Sequence, residues 1–293
     1  MKKKFKIISI VLCITIFIIY ISGFIISNNK SNEGIIVLAY HHFLKDKDKE
    51  KYWPDNYYVM ATEKFEEQMK YLKENGYKSI SPSQIECYLQ NKCKIPQKAF
   101  IVTIDDGNIS SYYEALPILE KYDFYSINFV ISGRIENNSY ELDNTDKSIY
   151  YFLGNDLIAD INKNHPKMII GSHSHQMHIN DQNGKKMFET KNYEELLEDA
   201  KTSYNLLNET RFMAYPFGAQ NENYQKAVKE AGFSLAFTFK DNRKLTRKDN
   251  PYTLPRIDIR ATDSIKDFKN KIEGKVTLKN YTKNIIKSII GKK

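Results

Sequence analysis

The stretch AFIVTIDDG, residues 99–107, is an apolar run that ends in two carboxylates and a glycine. A run without polar alternation is what a parallel strand covered on both faces requires. Parallel neighbours need crossover connections, usually helical, so the flanking sequence should alternate between strand and helix. Upstream, IIVLAY (35–40) reads as a buried strand, and TEKFEEQMKYLKENG (62–76) as a helix with Thr62 as N-cap, Phe65, Met69 and Leu72 on one face, and Gly76 as its stop. SPSQIECYL (81–89) starts another helix with Pro82 in its first turn. Downstream come helical SYYEALPILEKY (111–122), strand YSINFVI (125–131), an irregular segment, strand KMIIG (167–171) and helix YEELLEDAKTSYNLL (193–207). FMAYPFG (212–218), helix NENYQKAVKEAG (221–232), strand LAFTF (235–239) and LPRIDI (254–259) close the series. No repeat or low-complexity linker interrupts residues 35–265. The order predicts one α/β domain on a mainly parallel sheet, open or closed into a barrel, with chemistry at the carboxyl ends of the strands.

At 293 residues, with 41% hydrophobic and 13% aromatic, the chain can fill such a core. Ile7 to Ser27 carries no charge and follows Lys2, Lys3, Lys4 and Lys6. As a helix it would span about 30 Å, a bilayer core, and the lysines favour an inside amino terminus. The expectation is one N-terminal transmembrane helix within residues 1–30, placing the rest at the extracellular face of the membrane, with a cleaved signal segment as the rival. In ECYLQNKC, Cys87 and Cys93 can pair in an oxidising compartment only if the helix ends near Asn91; two unrelated thiols are the alternative. The net charge of +8 is concentrated at the two ends of the chain, which excludes a nucleic-acid footprint across the domain. Residues 266–293 read as a basic amphipathic tail suited to an anionic surface, or as a last helix packed on the domain.

Three motifs fall just past predicted strands. Asp105 and Asp106 are neighbours, so they act together only across a local bend, which Gly107 permits. An Asp-Asp-Gly turn without function is the competing reading. GSHSHQMH (171–178) places His173, His175 and His178 within six positions. Two imidazoles and a carboxylate make a three-ligand divalent site with room for water, and spacing alone leaves open which pair of histidines serves. YHHF places His41 and His42 after the first strand, where an imidazole is a candidate general acid. Trp53, Tyr57 and Tyr58 are candidates to stack on sugar rings, or to pack in the core or loops.

TIDDG, SHSHQMH and MAYPFG, in this order and spacing, resemble the first three motifs of the polysaccharide deacetylases of carbohydrate esterase family 4, the NodB homology domain. LAYHHF, NYYVMATEKFEEQMKYLKENGYKSIS and LPRIDI extend the resemblance, over residues 35–263, to the branch that deacetylates poly-β-1,6-N-acetylglucosamine. The resemblance implies a distorted (β/α) barrel over residues 31–265. It implies Asp105 as general base, His41 as general acid, and Asp106, His173 and His178 as ligands of a divalent metal, zinc first, with cobalt, nickel or iron compatible. The histidines stand five apart, as in that branch, where many family members use four, a place held here by Met177; His175 becomes a neighbour. Ala214 occupies the place of a family Arg, so Arg256 is the candidate to hold Asp105. Tyr215, Pro216 and Phe217 are implied as an acetyl-side wall, with a backbone N–H near Phe217 polarising the acetyl oxygen. The implied activity is hydrolytic N-deacetylation of an extracellular N-acetylglucosamine polymer by a monomer. A peptidoglycan deacetylase and a silent glycan-binding module are the rivals.

Overall fold

The computed structural model describes residues 13–23, 25, 34–143, 145–239, 241–274 and 282. In chain order the strands are β1 (Ile36–Tyr40), β2 (His42–Leu44), β3 (Val59–Ala61), β4 (Lys78–Ser79), β5 (Ala99–Ile104), β6 (Ser126–Val130), β7 (Met168–Ser172), β8 (Phe212–Ala214), β9 (Leu235–Thr238), β10 (Leu254–Pro255) and β11 (Ile257–Asp258). The helices are α1 (Asp46–Tyr52), α2 (Thr62–Glu74), α3 (Pro82–Leu89), α4 (Leu116–Tyr122), α5 (Asn155–Asn164), α6 (Tyr193–Leu206), α7 (Glu222–Glu230) and α8 (Ile265–Glu273). All pairings between these strands are parallel, and β2 pairs with β3. The rest form one sheet in the order β10, β9, β8, β7, β6, β5, β1, β11, with β4 beside β5. The two ends of that order are separated in the chain by Arg256 alone. The sheet therefore curls until its edges meet across one residue, which makes a nearly closed barrel.

A strand period of two sorts the core into an outer and an inner layer. Ile36, Leu38 and Tyr40 of β1 share the outer layer with Phe65, Met69 and Leu72 of α2. Val37, Ile101, Phe129, Phe237 and Leu254 form the inner layer. α6 and α7 cover β8 and β9 through Leu196, Ala200, Tyr224 and Val228. The inside is narrow: a Cβ on Gly171 would lie 2.6 Å from the Phe129 ring, so β7 carries no side chain where that ring fills the barrel.

Local signals explain several element ends. Ser81 caps α3 with a reciprocal bond to Gln84, and Pro82 starts the helix. Asn91 takes a left-handed φ of 58° just after α3. The chain turns there, and Cys87 and Cys93 are joined as a disulfide with Cα atoms 5.5 Å apart. Residues 111–115 form a π-helical turn before α4, next to Pro117, which lacks an N–H for the regular ladder.

Some expectations change. Ala61, not Thr62, is the N-cap of α2, and no side chain caps that end. Residues 155–164, read as part of an irregular segment, are α5, anchored by Ile158 and Ile161. Of the segment 266–293, residues up to Glu273 belong to α8, which buries Phe268 and Ile272 completely in the barrel's outer layer, as the packed-helix alternative has it for that part. Residues 275–281 and 283–293 lie outside the described residues. Of the expected membrane segment 7–27, residues 13–23 and 25 are helical and the others lie outside the described residues. Among the described residues no helix is long and apolar enough to cross a membrane.

Candidate active site

The inward rows of the barrel end at its carboxyl mouth in ionisable side chains. Val37 and Ala39 lead to His41, Ile101 and Thr103 to Asp105, Gly171 to His173, and Leu254 to Arg256. These four side chains converge. Arg256 donates from Nη1 to Asp105 Oδ1 at 2.6 Å and from Nη2 to Oδ2 at 2.8 Å. Nη1 also donates to Thr103 Oγ1 at 3.2 Å, and the Phe239 ring covers the guanidinium at 4.2 Å. Asp105 Oδ2 lies 3.9 Å from His41 Nε2 and 4.0 Å from His173 Nε2. The register is held by the backbone: Asp105 N–H donates to the Tyr40 carbonyl at 2.9 Å, and His173 N–H to the Val130 carbonyl at 2.8 Å.

Asp106 would point out of the barrel if β5 continued. Left-handed φ values of 72° at Asp106 and 69° at Gly107 turn it back, a region aspartate tolerates better than most residues. Gly107 has a second constraint, since a Cβ there would lie 2.9 Å from Val130 Cγ1. Asp106 Oδ1 then stands 3.3 Å from His178 Nε2 and 3.7 Å from His173 Nε2. The ligand atoms of Asp106, His173 and His178 all lie within 4.8 Å of one another. Ligands of a tetrahedral ion bound at about 2.0–2.2 Å stand roughly 3.3–3.6 Å apart, close to the two distances from Asp106 Oδ1 to the histidines. Asp106 Oδ1 is buried with no hydrogen-bond partner, although it faces two imidazoles. His173 Nδ1–H donates to the Ala214 carbonyl at 2.7 Å, which leaves the Nε2 lone pair towards Asp106. These residues fit a divalent cation.

The spacing of five is accommodated by a wound loop. Ser174 adopts a φ of 71°, and its hydroxyl accepts the Met177 N–H at 3.2 Å. Asp199 on α6 accepts the N–H of His175 at 3.1 Å and of Gln176 at 2.6 Å. His173 and His178 are thereby brought to a ring separation of 4.8 Å. Met177 packs into the core beneath α6 and α7, and the His175 ring approaches Ser132 Oγ at 3.1 Å, outside the donor set.

Burial raises the Asp105 carboxyl, but the Arg256 guanidinium, helped by His173 and His41, outweighs it and holds Asp105 below the usual carboxylate range. Burial acts the same way on Asp106, and the facing His42, His41 and His173 bring it well below that range. Burial pulls His173 down to about 4, against the pull of Asp105, so its imidazole is neutral, the form that binds metal. Burial also lowers His41, more than Asp105 and Asp106 raise it.

Phe217, at a left-handed φ of 59°, is 37% exposed and stacks on His178 at 4.5 Å. Pro216 is buried beside it. Tyr215, expected on the acetyl-side wall, lies instead in the core against Tyr224. It is fully buried, and its hydroxyl donates to the Tyr252 carbonyl. The physical reason is strand alternation: Ala214 and Pro216 face in, so Tyr215 faces out under α7. Tyr58 lies against His41 at 4.5 Å and Tyr57 against Tyr58 at 4.2 Å, both partly exposed. Asp199 and Phe239 were missed as site residues. Phe239 continues the inward row of Leu235 and Phe237, and Asp199 is a carboxylate on the buried stripe of Leu196, Ala200 and Ser203, so each carried a readable signal.

A clamped carboxylate, a facing imidazole and a triad able to hold a cation meet at the mouth of a parallel barrel, an arrangement suited to hydrolysis. The polysaccharide deacetylase family profile matches residues 92–236, which include the donor triad and Asp105, while His41 and Arg256 lie outside the match. The chain belongs to the polysaccharide deacetylase family and is by class a polysaccharide N-deacetylase. A poly-beta-1,6-N-acetyl-D-glucosamine N-deacetylase of Staphylococcus aureus is 26% identical over 206 residues, 68% of this chain and 67% of that protein. IcaB from Ammonifex degensii superposes with a TM-score of 0.68 at 24% identity, covering 83% of this chain and 98% of that one. Streptococcus pyogenes deacetylase PplD superposes with a TM-score of 0.67 at 22% identity, covering 83% and 99%.

Proposed function

We propose that this chain is a metal-dependent N-deacetylase of poly-β-1,6-N-acetyl-D-glucosamine at the outer face of the cell. The observation that carries the chemistry is the meeting of the Arg256-clamped Asp105, the His41 imidazole and the donor set Asp106, His173 and His178 at one barrel mouth. The staphylococcal relatives and the motifs LAYHHF and LPRIDI support the β-1,6 polymer as substrate. The uncharged stretch 7–27 behind its lysines supports a place at the membrane surface.

Asp106, His173 and His178 would hold a divalent cation, which would supply Lewis acidity and lower the pKa of bound water from about 15.7 towards 7. Asp105, held ionised, accepts a proton from the attacking water; Arg256 occupies one lone pair on each of its oxygens and leaves the others free. The Phe217 N–H, on the turn whose ring stacks against His178, is the candidate to steady the negative oxygen that forms on the acetyl carbon. The proton that Asp105 takes from the water passes to His41, 3.9 Å away, whose lowered pKa makes it a ready donor once protonated; His41 gives it to the sugar nitrogen as the carbon–nitrogen bond breaks, so acetate and an amino sugar leave.

The test is acetate release by the purified chain from β-1,6-linked N-acetylglucosamine oligomers and, in parallel, from peptidoglycan. It is run with chelator, with zinc or cobalt restored, and with Asp105→Asn. Metal-dependent release from the oligomers, lost in Asp105→Asn, is expected. Release from peptidoglycan alone would replace the substrate, and silence on both with glycan binding retained would make this a binding module.

A further inference from the structure

We propose that His42 is a positioning residue that holds Asp106 to one-oxygen ligation; this rests on the metal-site reading above. His41 and His42 are consecutive in the chain and face the consecutive Asp105 and Asp106. His42 Nε2 lies 3.4 Å from Asp106 Oδ2. The two oxygens of Asp106 are thus divided: Oδ1 faces His173 and His178, and Oδ2 faces His42. His42 is not one of the three mutually close donors, so it stands behind the carboxylate rather than beside the ion.

The imidazole is fixed from several directions. Its backbone N–H donates to the Tyr58 carbonyl at 3.2 Å, and β2 pairs with β3 in register at His42 and Val59. The next residue, Phe43, donates its N–H to Ser110 Oγ at 3.0 Å, tying β2 to the segment that follows Asp106 and Gly107. His42 Nδ1 is buried without a partner. A bare lone pair is a cheaper thing to bury than an unpaired N–H, which assigns the proton to Nε2, facing Asp106. With Oδ2 engaged, Asp106 offers a single oxygen, and the positions that water and the acetyl oxygen require stay open. Without His42, Oδ2 is free to bind the ion as well and fill one of them.

The experiment compares His42→Leu and His42→Ala, which remove the donor, with His42→Gln, which keeps one. Zinc affinity is measured by chelator competition, and the cobalt(II) form by its visible absorption, with circular dichroism confirming the fold. His42→Leu and His42→Ala should bind zinc about 10–100-fold more weakly, the range for loss of a ligand's supporting bond. Their cobalt bands should weaken as coordination number rises, and His42→Gln should recover most of both. Unchanged affinity and bands in both donor-free variants would overturn the proposal. Asp106→Asn separates the two levels: if it also leaves zinc affinity unchanged, the metal site itself is misassigned, whereas loss there with no loss at His42 overturns only the role of His42.

Discussion

At the scale of single residues, the Arg256–Asp105 pair sets the strongest constraint. Both side chains are buried, and each charge is tolerable only because the other is present with two aligned bonds. Arg256→Met should therefore destabilise the fold by about 3–5 kcal/mol, since it strands a buried carboxylate. Asp105→Asn removes that charge while keeping an acceptor, so the double variant Arg256→Met with Asp105→Asn should be more stable than Arg256→Met alone. Urea unfolding of the three variants checks this, and a single variant as stable as the parent would show that the pair carries no such constraint. In activity, Asp105→Asn should lose about 10²–10⁴-fold, the usual weight of a general base. Arg256 could be reached in the sequence only through resemblance, because LPRIDI reads as one strand. Its role follows from parity: Leu254 and Arg256 share the inward face, so the charge has to find a partner inside the barrel.

At the scale of elements, α6 does for the loop from His173 to His178 what the barrel does for Asp105. Asp199 takes two N–H groups of the loop between His173 and His178, and burial raises its carboxyl against their pull. Asp199→Ala leaves those donors unpaired, at about 1–3 kcal/mol for each that stays buried. Zinc affinity should fall with it, and the Gln176 amide should exchange faster with solvent. Slow Gln176 exchange in the variant would show that the loop holds itself. A second inter-element tie lies away from the mouth. His165, just after α5, meets Glu120 of α4 at 2.6 Å through Nδ1 and Asp160 of α5 at 3.1 Å through Nε2. The Glu120 bond is the first cause that raises its pKa above the unfolded value of 6.5. A raised histidine contributes its full stabilisation below about pH 6.5 and loses it as pH climbs through the folded value. For groups this exposed the contribution is about 0.2–1 kcal/mol. The stability gap between the parent and His165→Asn should be widest near pH 6 and narrow by pH 9 in urea midpoints; a gap that widens with pH would refute the assignment. Long elements such as β5 and α6 were legible because their apolar pattern is unambiguous. α5 was not, because it is only ten residues long and starts after Gly154 with no capping side chain, so its apolar face carries no boundary signal, and β2 and β3 are three-residue strands that exist only through each other.

At the scale of the whole molecule, sequence order alone left open whether the sheet closes, because closure depends on contacts between its first and last strands. The seam is β11 on β1, two register pairs long, with Arg256 between it and β10. So short a ladder depends on what covers it. α8 provides the cover: Phe268 and Ile272 are fully buried in the outer layer with Leu38, Ile257 and Ile259, and Lys271 Nζ donates to the Asp258 carbonyl at 2.7 Å. The proposed metal ligands belong to the other part of the barrel, on the loops after β5 and β7, which are joined through β6 by ladders of three and five register pairs. Phe268→Ala should therefore act on the two halves unequally. It should cost about 3–5 kcal/mol in unfolding, the range for a buried phenylalanine. Below its melting point, kcat should fall because Arg256 and hence Asp105 lose their fixed place, while zinc affinity at Asp106, His173 and His178 stays near the parent value. Zinc affinity falling in step with kcat would mean instead that the barrel loosens as one body, with no separate weakness at the seam.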